Sequence, residues 1–360
     1  MIQISHIIGL MSGTSLDGVD LAYCQFSSED TTFENIHYQL LAAETIPYPK
    51  EWVQRLSTLE NATAYHYALT DVELGHYFGK IINHFRKCHP GPVDYIASHG
   101  HTIFHQPQIQ FTTQIGDGDS IVAETHLPVV YNFRTLDVAL GGQGAPLVPI
   151  GDQLLFNNYQ ACLNLGGFSN ISFCSNGIRL AYDVSPCNMA LNYLSRLLNH
   201  PFDRDGILAS QGNINTTLLS QLQALEYYQK PAPKSLGKEW FVEQVLPLIS
   251  DDKITPLDRL RTMTEHIAIQ LADSLNNHHI ATLIITGGGA KNNYLMQRLR
   301  IHAPDTKITI PSDAVIDYKE AIIFALLGYL RMNNKINCLR SVTGAKIDSI
   351  GGNISGVFPN

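Results

Sequence analysis

The sequence predicts an α/β fold made of two domains, and three observations support this prediction. Short apolar runs typical of strands alternate with longer stretches in which apolar residues recur at helical spacing. Each half of the chain contains two apolar runs joined by a turn rich in glycine, serine or asparagine, at residues 9–20 and 166–170, which is the pattern of a β-hairpin. The length of 360 residues also exceeds the usual size of one domain.

The first half is predicted to form a mixed layer of strands and helices. Its predicted elements are strands at 2–8, 19–23 and 37–46, helical structure at 50–87, a strand at 93–98, a helix at 119–125 and a strand at 129–133. We expect the strand at 93–98 to end at Ser98, His99, Gly100, His101 and Thr102. Polar residues just past the carboxyl end of a strand are where open α/β sheets bind ligands.

The second half repeats this beginning after the glycine-rich loop 141–146, which has the composition of a hinge. Its predicted strands are 161–165, 171–174, 178–182 and 282–286, and its predicted helices are 189–198, 215–228, 238–248, 256–276 and 318–333. We therefore expect one domain at residues 1–135 plus 345–360 and a second at 136–344.

Composition and charge exclude several classes of partner. Hydrophobic residues make up 44% of the chain and charged residues 16%, which is typical of a globular protein. The formal net charge is −8 and no run of Lys or Arg occurs, so nucleic acid and anionic membranes are disfavoured as partners. Without a leader-like start or an apolar run of membrane length, the sequence predicts a soluble cytoplasmic protein.

The first hairpin turn, residues 9–20, has the composition of a phosphate-binding turn. Its glycines can adopt positive φ, so that backbone N–H groups point at an anion, and the hydroxyls of Ser12, Thr14 and Ser15 add donors. An ordinary polar hairpin turn has the same composition. The spacing matches neither the P-loop nor the Rossmann glycine pattern.

Two further glycine-rich strand ends, Gly166 to Asn170 and Thr286 to Asn292, resemble the first in composition. At the second of them, Gly287, Gly288 and Gly289 follow a fully apolar strand and precede an amphipathic stretch, so a ligand could lie against the backbone. A plain strand-to-helix loop is the alternative. Three such loops, spread over both halves, indicate a nucleotide site more strongly than any one of them.

Asp183 is the carboxylate best placed for chemistry. It follows the strand at 178–182, where a general base could take a proton from a hydroxyl or water. An aspartate before a proline and an apolar run can instead cap the following helix. His99 and His101 could bind a sugar, act as acid or base, or be structural, and Arg134 suits a carboxylate because its fork binds one bidentately.

Together these motifs resemble the anhydro-N-acetylmuramic acid kinases, bacterial enzymes of peptidoglycan recycling. The resemblance begins at Gly9–Asp20 and continues in order along nearly the whole chain. It includes residues 98–102, 114–117, 132–134, 141–149, 164–167, 205–206, 233–235, 287–290, 320–321 and 341–345.

The resemblance implies an actin/hexokinase-type (ribonuclease H-like) fold, in which two α/β domains flank a central ATP cleft. It implies a kinase that opens the 1,6-anhydro ring with water and phosphorylates O6, using ATP and Mg²⁺, and giving N-acetylmuramic acid 6-phosphate and ADP. Asp183 would be the catalytic base. The sequence does not identify the Mg²⁺ ligands, and we expect a homodimer.

The resemblance also assigns the binding residues. ATP is expected at Gly13, Thr14, Ser15, Leu16, Asp17, Gly18, Val19 and Asp20, at Gly166, Gly167 and Asn170, and at Gly287, Gly288 and Gly289. The sugar is expected at His99, His101, Thr102, Arg134, Gln143, Asn188 and Glu320.

The chain departs from the family pattern at two places. The family's Asp-Thr-Gly-Pro-Gly-Asn is replaced by Asp183–Asn188, in which Val184, Ser185 and Cys187 differ, and His101 stands where glutamine is usual. These departures leave two alternatives: a kinase of a different amino or anhydro sugar, or a catalytically silent protein that binds ATP or sugar.

Overall fold

A computed structural model describes residues 4–231 and 234–356. The predicted α/β class is confirmed within them, because strands and helices alternate along the chain. The chain divides into two compact units, Met1–Leu155 with Tyr318–Asn360, and Phe156–Asp317. We call them the first and the second unit.

Within the described residues, the first unit contains seven strands, six complete α-helices and most of a seventh. Its strands are β1 (Ile4–Ser12), β2 (Gly18–Ser28), β3 (Ile36–Pro47), β4 (Tyr95–Gln106), β5 (Phe111–Ile115), β6 (Val129–Tyr131) and β12 (Asn353–Ser355). Its helices are α1 (Lys50–Thr58), α2 (Ala64–Cys88), α3 (Gly118–Thr125), α4 (Thr135–Ala139), α5 (Val148–Leu155), most of α13 (Asp313–Met332) and α14 (Arg340–Thr343).

The second unit is built around a smaller sheet. Its strands are β7 (Ala161–Leu165), β8 (Phe168–Ser175), β9 (Ile178–Pro186), β10 (Thr282–Thr286) and β11 (Lys307–Thr309). Its helices are α6 (Asn188–Arg196), α7 (Ile207–Gln211), α8 (Thr216–Gln223), α9 (Lys238–Trp240), α10 (Leu246–Ile249), α11 (Pro256–Asn277) and α12 (Asn293–His302).

The two sheets share one strand order. In the first unit the order is β3-β2-β1-β4-β6, extended by β12 at one edge, and β5 pairs with β4; in the second it is β9-β8-β7-β10-β11. In both sheets the first three strands form an antiparallel meander, and the next two lie parallel to the first strand. This repetition agrees with the two similar halves predicted from the paired hairpins.

The unit boundary differs from the division predicted from the sequence. Residues 136–155 and 318–344 belong to the first unit, because α5 and α13 pack on its sheet. The contact is close: a Cβ on Gly9 of β1 would lie 2.0 Å from the carbonyl oxygen of Ala321 and 2.9 Å from the amide nitrogen of Ala325. Only glycine at position 9 lets α13 approach the strand in this way.

Several element ends follow from local sequence. The predicted helix 50–87 is divided into α1 and α2, because Thr63 caps α2 by accepting a hydrogen bond from the His66 N–H. Asp117, Asn215, Thr255 and Asn292 cap α3, α8, α11 and α12 in the same way. Residues 2 and 3 of the predicted first strand lie outside the described residues. In the part of the chain that the structure describes, no helix is long and apolar enough to cross a bilayer.

Candidate active site

The first hairpin turn, residues 13–17 between β1 and β2, presents several polar side chains to solvent. Thr14, Ser15 and Asp17 are exposed, and the Leu16 N–H donates a hydrogen bond to the Gly13 carbonyl over 3.3 Å. The expectation of positive φ at its glycines is wrong: the residue with positive φ is Leu16, at 60°. At Gly18 the lack of a side chain allows β2 to pair with β3, because a Cβ there would lie only 2.6 Å from the Ile46 carbonyl oxygen.

Ser12 does not contribute its hydroxyl to the turn, because two neighbours bind it. Its Oγ lies 2.8 Å from the Tyr48 hydroxyl and 2.8 Å from Nδ1 of His101, and both Ser12 and His101 are buried. Burial lowers the pKa of His101 to about 4, so the ring is neutral at physiological pH. His101 thus belongs to a neutral hydrogen-bonded group with Ser12 and Tyr48.

Strand β4 is longer than predicted, since it continues to Gln106 by pairing with β5. The predicted ligand-binding residues His99, His101 and Thr102 therefore lie inside a strand rather than beyond its end. The pairing of β1 with β4 is irregular between Leu10 and Ser12, and Gly100 has a φ of 77°. The irregular stretch of β4 thus includes His99, the hydrogen-bond partner of Arg134.

The hydrogen bonds of His99 fix its tautomer. Arg134 Nε donates to His99 Nε2 over 2.9 Å, so the ring proton lies on Nδ1, which donates to the Gly100 carbonyl over 2.9 Å. Burial, together with the neighbouring Arg134 charge, lowers the pKa of His99 well below its usual range. His99 is therefore a neutral support for the guanidinium.

Arg134 is held from two sides. Besides the bond to His99, its Nη1 donates to the Gly144 carbonyl over 2.6 Å. Among the described residues nothing accepts a hydrogen bond from Nη2, so this part of the fork remains available for a carboxylate ligand. The buried Asp137 fixes the Gly144 loop by accepting from the Gly144 N–H over 2.7 Å and from Thr343 Oγ1 over 2.7 Å.

Glu320 at α13 lies in the electrostatic field of Arg134. The Glu320 side chain is accessible to solvent, but the surrounding protein limits its hydration, which raises the pKa of its carboxyl. The positive charge of Arg134 opposes this rise, and the negative charge of Asp20 adds to it. Gln143 is exposed on the same glycine-rich loop, where its N–H donates to the Thr343 carbonyl over 2.8 Å. Thr102 lines a separate depression of about 220 Å³ together with Thr14 and His101.

The second hairpin turn, Gly166 and Gly167 between β7 and β8, is fixed by the start of α6. The Asn188 N–H donates to the Gly166 carbonyl, and the N–H groups of Cys187 and Met189 donate to the Gly167 carbonyl, over 2.8–3.1 Å. Asn188 Nδ2 also donates to the Leu165 carbonyl over 3.0 Å. Asn188 therefore joins this turn to α6.

Asp183 lies within β9, not at a strand end, and opposite Asn170 of β8. The register skips Val184, which forms a bulge beside it. The helix-cap alternative is wrong, because Cys187 precedes α6 without a side-chain cap and Asp183 Oδ2 accepts from the Leu236 N–H over 2.8 Å. Burial raises the pKa of Asp183, and the Leu236 hydrogen bond opposes that rise.

The residues that depart from the family pattern near Asp183 face the protein interior. Val184, Ser185 and Cys187 are buried, with exposed fractions of 4%, 0% and 0%. Ser185 Oγ lies 3.0 Å from Ser169 Oγ on the neighbouring strand. Packing and pairing inside the second unit thus account for these three residues.

The third glycine loop, residues 287–289, borders a cavity of about 440 Å³ in the second unit. Gly287 has a φ of 82°, and a Cβ there would lie 2.6 Å from Asn164 Oδ1, whereas a Cβ on Gly288 would meet nothing closer than 3.6 Å. The cavity is lined by Asn188, Leu191, Asn192, Phe202, Asp203, Arg204, Asp205, Gly288, Gly289, Lys291 and Asn292. Its size suits the base and ribose of a nucleotide.

Each unit thus gathers part of the predicted site. In the first unit His99, Arg134 and Glu320 come together, and His101 and Thr102 lie near the first turn. In the second unit Asn170 lies beside Asp183, and Asn188 joins the Gly166 turn to α6 and lines the cavity beside Gly288. Pairings distant in sequence were missed, including Tyr48 with His101 and Leu236 with Asp183, because no local pattern encodes them.

The described residues contain no group of three or more His, Cys, Asp or Glu side chains arranged to hold a metal ion. Mg²⁺ in nucleotide sites is bound largely by phosphate oxygens and water, with one or two carboxylates. Asp17 on the exposed first turn offers a carboxylate of this kind, whereas Asp20 already accepts from Thr45 Oγ1 over 2.6 Å.

Comparison with known proteins identifies close relatives over the whole length. A model of the family described as anhydro-N-acetylmuramic acid kinase matches residues 5–356. The anhydro-N-acetylmuramic acid kinase of Pasteurella multocida is 38% identical, with 95% of this chain and 94% of that protein covered. The enzyme of the same name from Vibrio cholerae is 35% identical, with 96% of each chain covered.

Among solved structures, component A of Acidaminococcus fermentans (R)-2-hydroxyglutaryl-CoA dehydratase is similar to this chain with a TM-score of 0.46. The two sequences are 11% identical, and the match covers 92% of this chain and 100% of that one.

Proposed function

We propose a residue-level mechanism from the premise that this chain belongs to the anhydro-N-acetylmuramic acid kinase family. It is a kinase, a phosphotransferase with an alcohol group as acceptor. It uses ATP to phosphorylate O6 of 1,6-anhydro-N-acetylmuramic acid as water opens the ring, giving N-acetylmuramic acid 6-phosphate and ADP. The open questions are which residues carry the proton, the sugar and the phosphates.

Asp183 is assigned the role of general base. Asp183 takes a proton from water while the water oxygen forms a bond to the anomeric carbon. The bond between the anomeric carbon and O6 breaks at the same time. O6 then bonds to the γ-phosphorus of ATP, and the bond between that phosphorus and ADP breaks. The proton on Asp183 later passes to solvent. The raised pKa of Asp183 supports this role, because a more basic carboxylate accepts a proton more readily.

Binding of the sugar is assigned to residues of the first unit. Arg134 binds the lactyl carboxylate through Nη2, since its Nε and Nη1 are held by His99 and Gly144. Glu320 orients the attacking water or the new anomeric hydroxyl. His101, Thr102 and Gln143 contribute neutral polar contacts to the sugar.

The phosphates are assigned to the first turn, with its exposed Thr14 and Ser15, and to Gly166, Gly167 and Asn170. The nucleoside is assigned to the cavity beside Gly288. Asp17 would help to hold Mg²⁺, which would supply neutralisation of the phosphate charge. The central ATP cleft, the cytoplasmic location and the homodimer remain predictions. Sedimentation equilibrium tests the last of these.

Replacing Asp183 with asparagine tests the base. We expect Asp183→Asn to lower single-turnover ADP formation by about 10²–10⁴-fold, because asparagine cannot accept the proton. Asp305→Asn, which removes an exposed carboxylate of the same unit, should retain activity. Near-normal turnover of a folded Asp183→Asn variant would remove Asp183 from the mechanism.

The alternative of another sugar leads to a different isotope result. Ring opening by water places one oxygen from ¹⁸O-labelled water at the anomeric centre, whereas phosphorylation of a free hydroxyl places none. No structural observation favours this alternative or a silent binding protein, since Val184, Ser185 and Cys187 are buried.

A further inference from the structure

Asp183 makes three hydrogen bonds to one stretch of chain outside its sheet. Its N–H donates to the Lys234 carbonyl over 3.2 Å, its carbonyl accepts from the Tyr227 hydroxyl over 2.7 Å, and its Oδ2 accepts from the Leu236 N–H over 2.8 Å. The strand β9 is at the edge of its sheet, so this stretch covers the open edge. We call residues 227–231 and 234–236 the edge segment.

Tyr227 anchors the edge segment to the strand. It is 5% exposed, and its ring lies 5.2 Å from that of Trp240, measured between centroids. Lys234 Nζ lies 4.7 Å from the Tyr227 ring centroid and donates to the Tyr227 carbonyl over 3.2 Å. Burial, followed by the Asp183 charge, raises the pKa of Tyr227 above its usual range, so its hydroxyl remains a donor.

We propose that Tyr227 is a positioning residue for the catalytic base, which it serves by holding the Leu236 N–H on Oδ2 of Asp183. The inference rests on the proposed role of Asp183. The Tyr227 hydroxyl ties one end of the edge segment to the Asp183 backbone, while Leu236 at the other end contacts the carboxylate. Among the described residues none donates a hydrogen bond to Oδ1, which is therefore the oxygen that faces the attacking water.

Loss of the Tyr227 hydroxyl has two consequences for the base. The edge segment loses a bond to the Asp183 carbonyl, so the Leu236 N–H is held less firmly against Oδ2 and the carboxylate is oriented less well. A weaker Leu236 hydrogen bond also stabilises the ionised carboxylate less, which raises its pKa further. The titratable groups that surround Asp183 on the edge segment and on β9 are Tyr227, Lys234 and Tyr182.

The test compares two adjacent tyrosines. Tyr227→Phe keeps the ring and its packing but removes the hydroxyl, and we expect single-turnover ADP formation at saturating substrates to fall about 5–10-fold. The acid limb of its pH profile should move to higher pH, while KM for sugar and ATP stays within about twofold. Tyr228→Phe is the matched control, because the Tyr228 hydroxyl bonds to His266 Nε2 over 2.9 Å instead.

The outcomes separate this inference from the proposed function. If Asp183→Asn is inactive and Tyr227→Phe matches Tyr228→Phe in rate and pH profile, the positioning role is wrong while the base assignment stands. If Asp183→Asn remains active, the base assignment is wrong and the inference falls with it. A rate loss with an unmoved acid limb and a raised KM would also overturn the positioning role, because it would indicate loss of substrate binding. Urea unfolding of both tyrosine variants checks that each remains folded.

Discussion

The two units share a strand order but use the equivalent hairpin turn differently. In the first unit the turn between β1 and β2 is exposed at Thr14, Ser15 and Asp17. In the second unit the carbonyls of Gly166 and Gly167 accept hydrogen bonds from the first residues of α6. The same topology therefore provides one turn with exposed side chains and one whose carbonyls hold a helix in place. Topology alone does not determine which role a turn takes.

Two buried groups of polar side chains, one in each unit, differ in charge. Ser12, Tyr48 and His101 in the first unit form a neutral group, since burial lowers the pKa of His101 to about 4. In the second unit the buried carboxylate of Glu265 binds Arg261, Arg298 and His302, each over 2.7 Å. The first of these two groups depends on hydrogen bonds between neutral side chains, and the second depends on charge.

Removal of the Glu265 charge should cause the largest loss of stability. We expect Glu265→Gln to lower the free energy of unfolding by about 3 kcal/mol at neutral pH, because Arg261 is left buried without its partner. Urea unfolding at pH 7 measures this. Glu243→Gln, at an exposed position of the same unit, is the control and should change stability by less than about 0.5 kcal/mol.

The pH dependence of this loss follows from the pKa of Glu265. Burial raises that pKa, but hydrogen bonds from Arg298, Arg261 and His302 outweigh burial and lower it from 4.5 to about 2. A carboxyl with a lowered folded-state pKa stabilises the fold above its unfolded pKa and ceases to do so as pH falls through the folded value. The difference between wild type and Glu265→Gln should thus be constant above pH 5 and shrink toward pH 3. A difference independent of pH would show that charge is not what Glu265 contributes.

The sequence predicted local features better than contacts between distant segments. The paired hairpins and the three glycine loops were found because apolar periodicity and turn composition are local. The strands β5, β11 and β12 were not predicted, since each is short. In addition, β11 and β12 pair with strands that lie further away along the chain. The contacts of Tyr48 with Ser12, and of Tyr227 and Leu236 with Asp183, were missed because they join residues far apart in the sequence.

The glycines of residues 9–20 illustrate this limit. In the sequence, Gly9, Gly13 and Gly18 all lie in the stretch 9–20, in which Gly13 and Gly18 were expected to bind ATP. In the structure the lack of a side chain at Gly9 allows β1 to pack against α13, and at Gly18 it allows β2 to pair with β3. A Cβ on Gly13, by contrast, would meet nothing closer than Ser15 Oγ at 3.6 Å. The stretch 9–20 therefore contains two glycines that the fold requires, Gly9 and Gly18, and one, Gly13, that leaves room for a ligand.

Gly9→Ala should cause the next largest effect. The added methyl overlaps the Ala321 carbonyl, and neither β1 nor α13 can move away without repacking the core, so we expect a loss of about 2–3 kcal/mol in unfolding free energy. Urea unfolding measures it. An unchanged unfolding midpoint would mean that α13 does not pack against β1 as closely as the structure shows.

Gly13→Ala should leave stability nearly unchanged and affect binding instead. Its φ is not positive and the Cβ has room, so the unfolding free energy should change by less than about 0.5 kcal/mol. If the first turn holds the ATP phosphates, the methyl hinders their approach to its N–H groups, and KM for ATP should rise about tenfold, equivalent to about 1.4 kcal/mol. An unchanged KM for ATP would show that the phosphates do not approach Gly13.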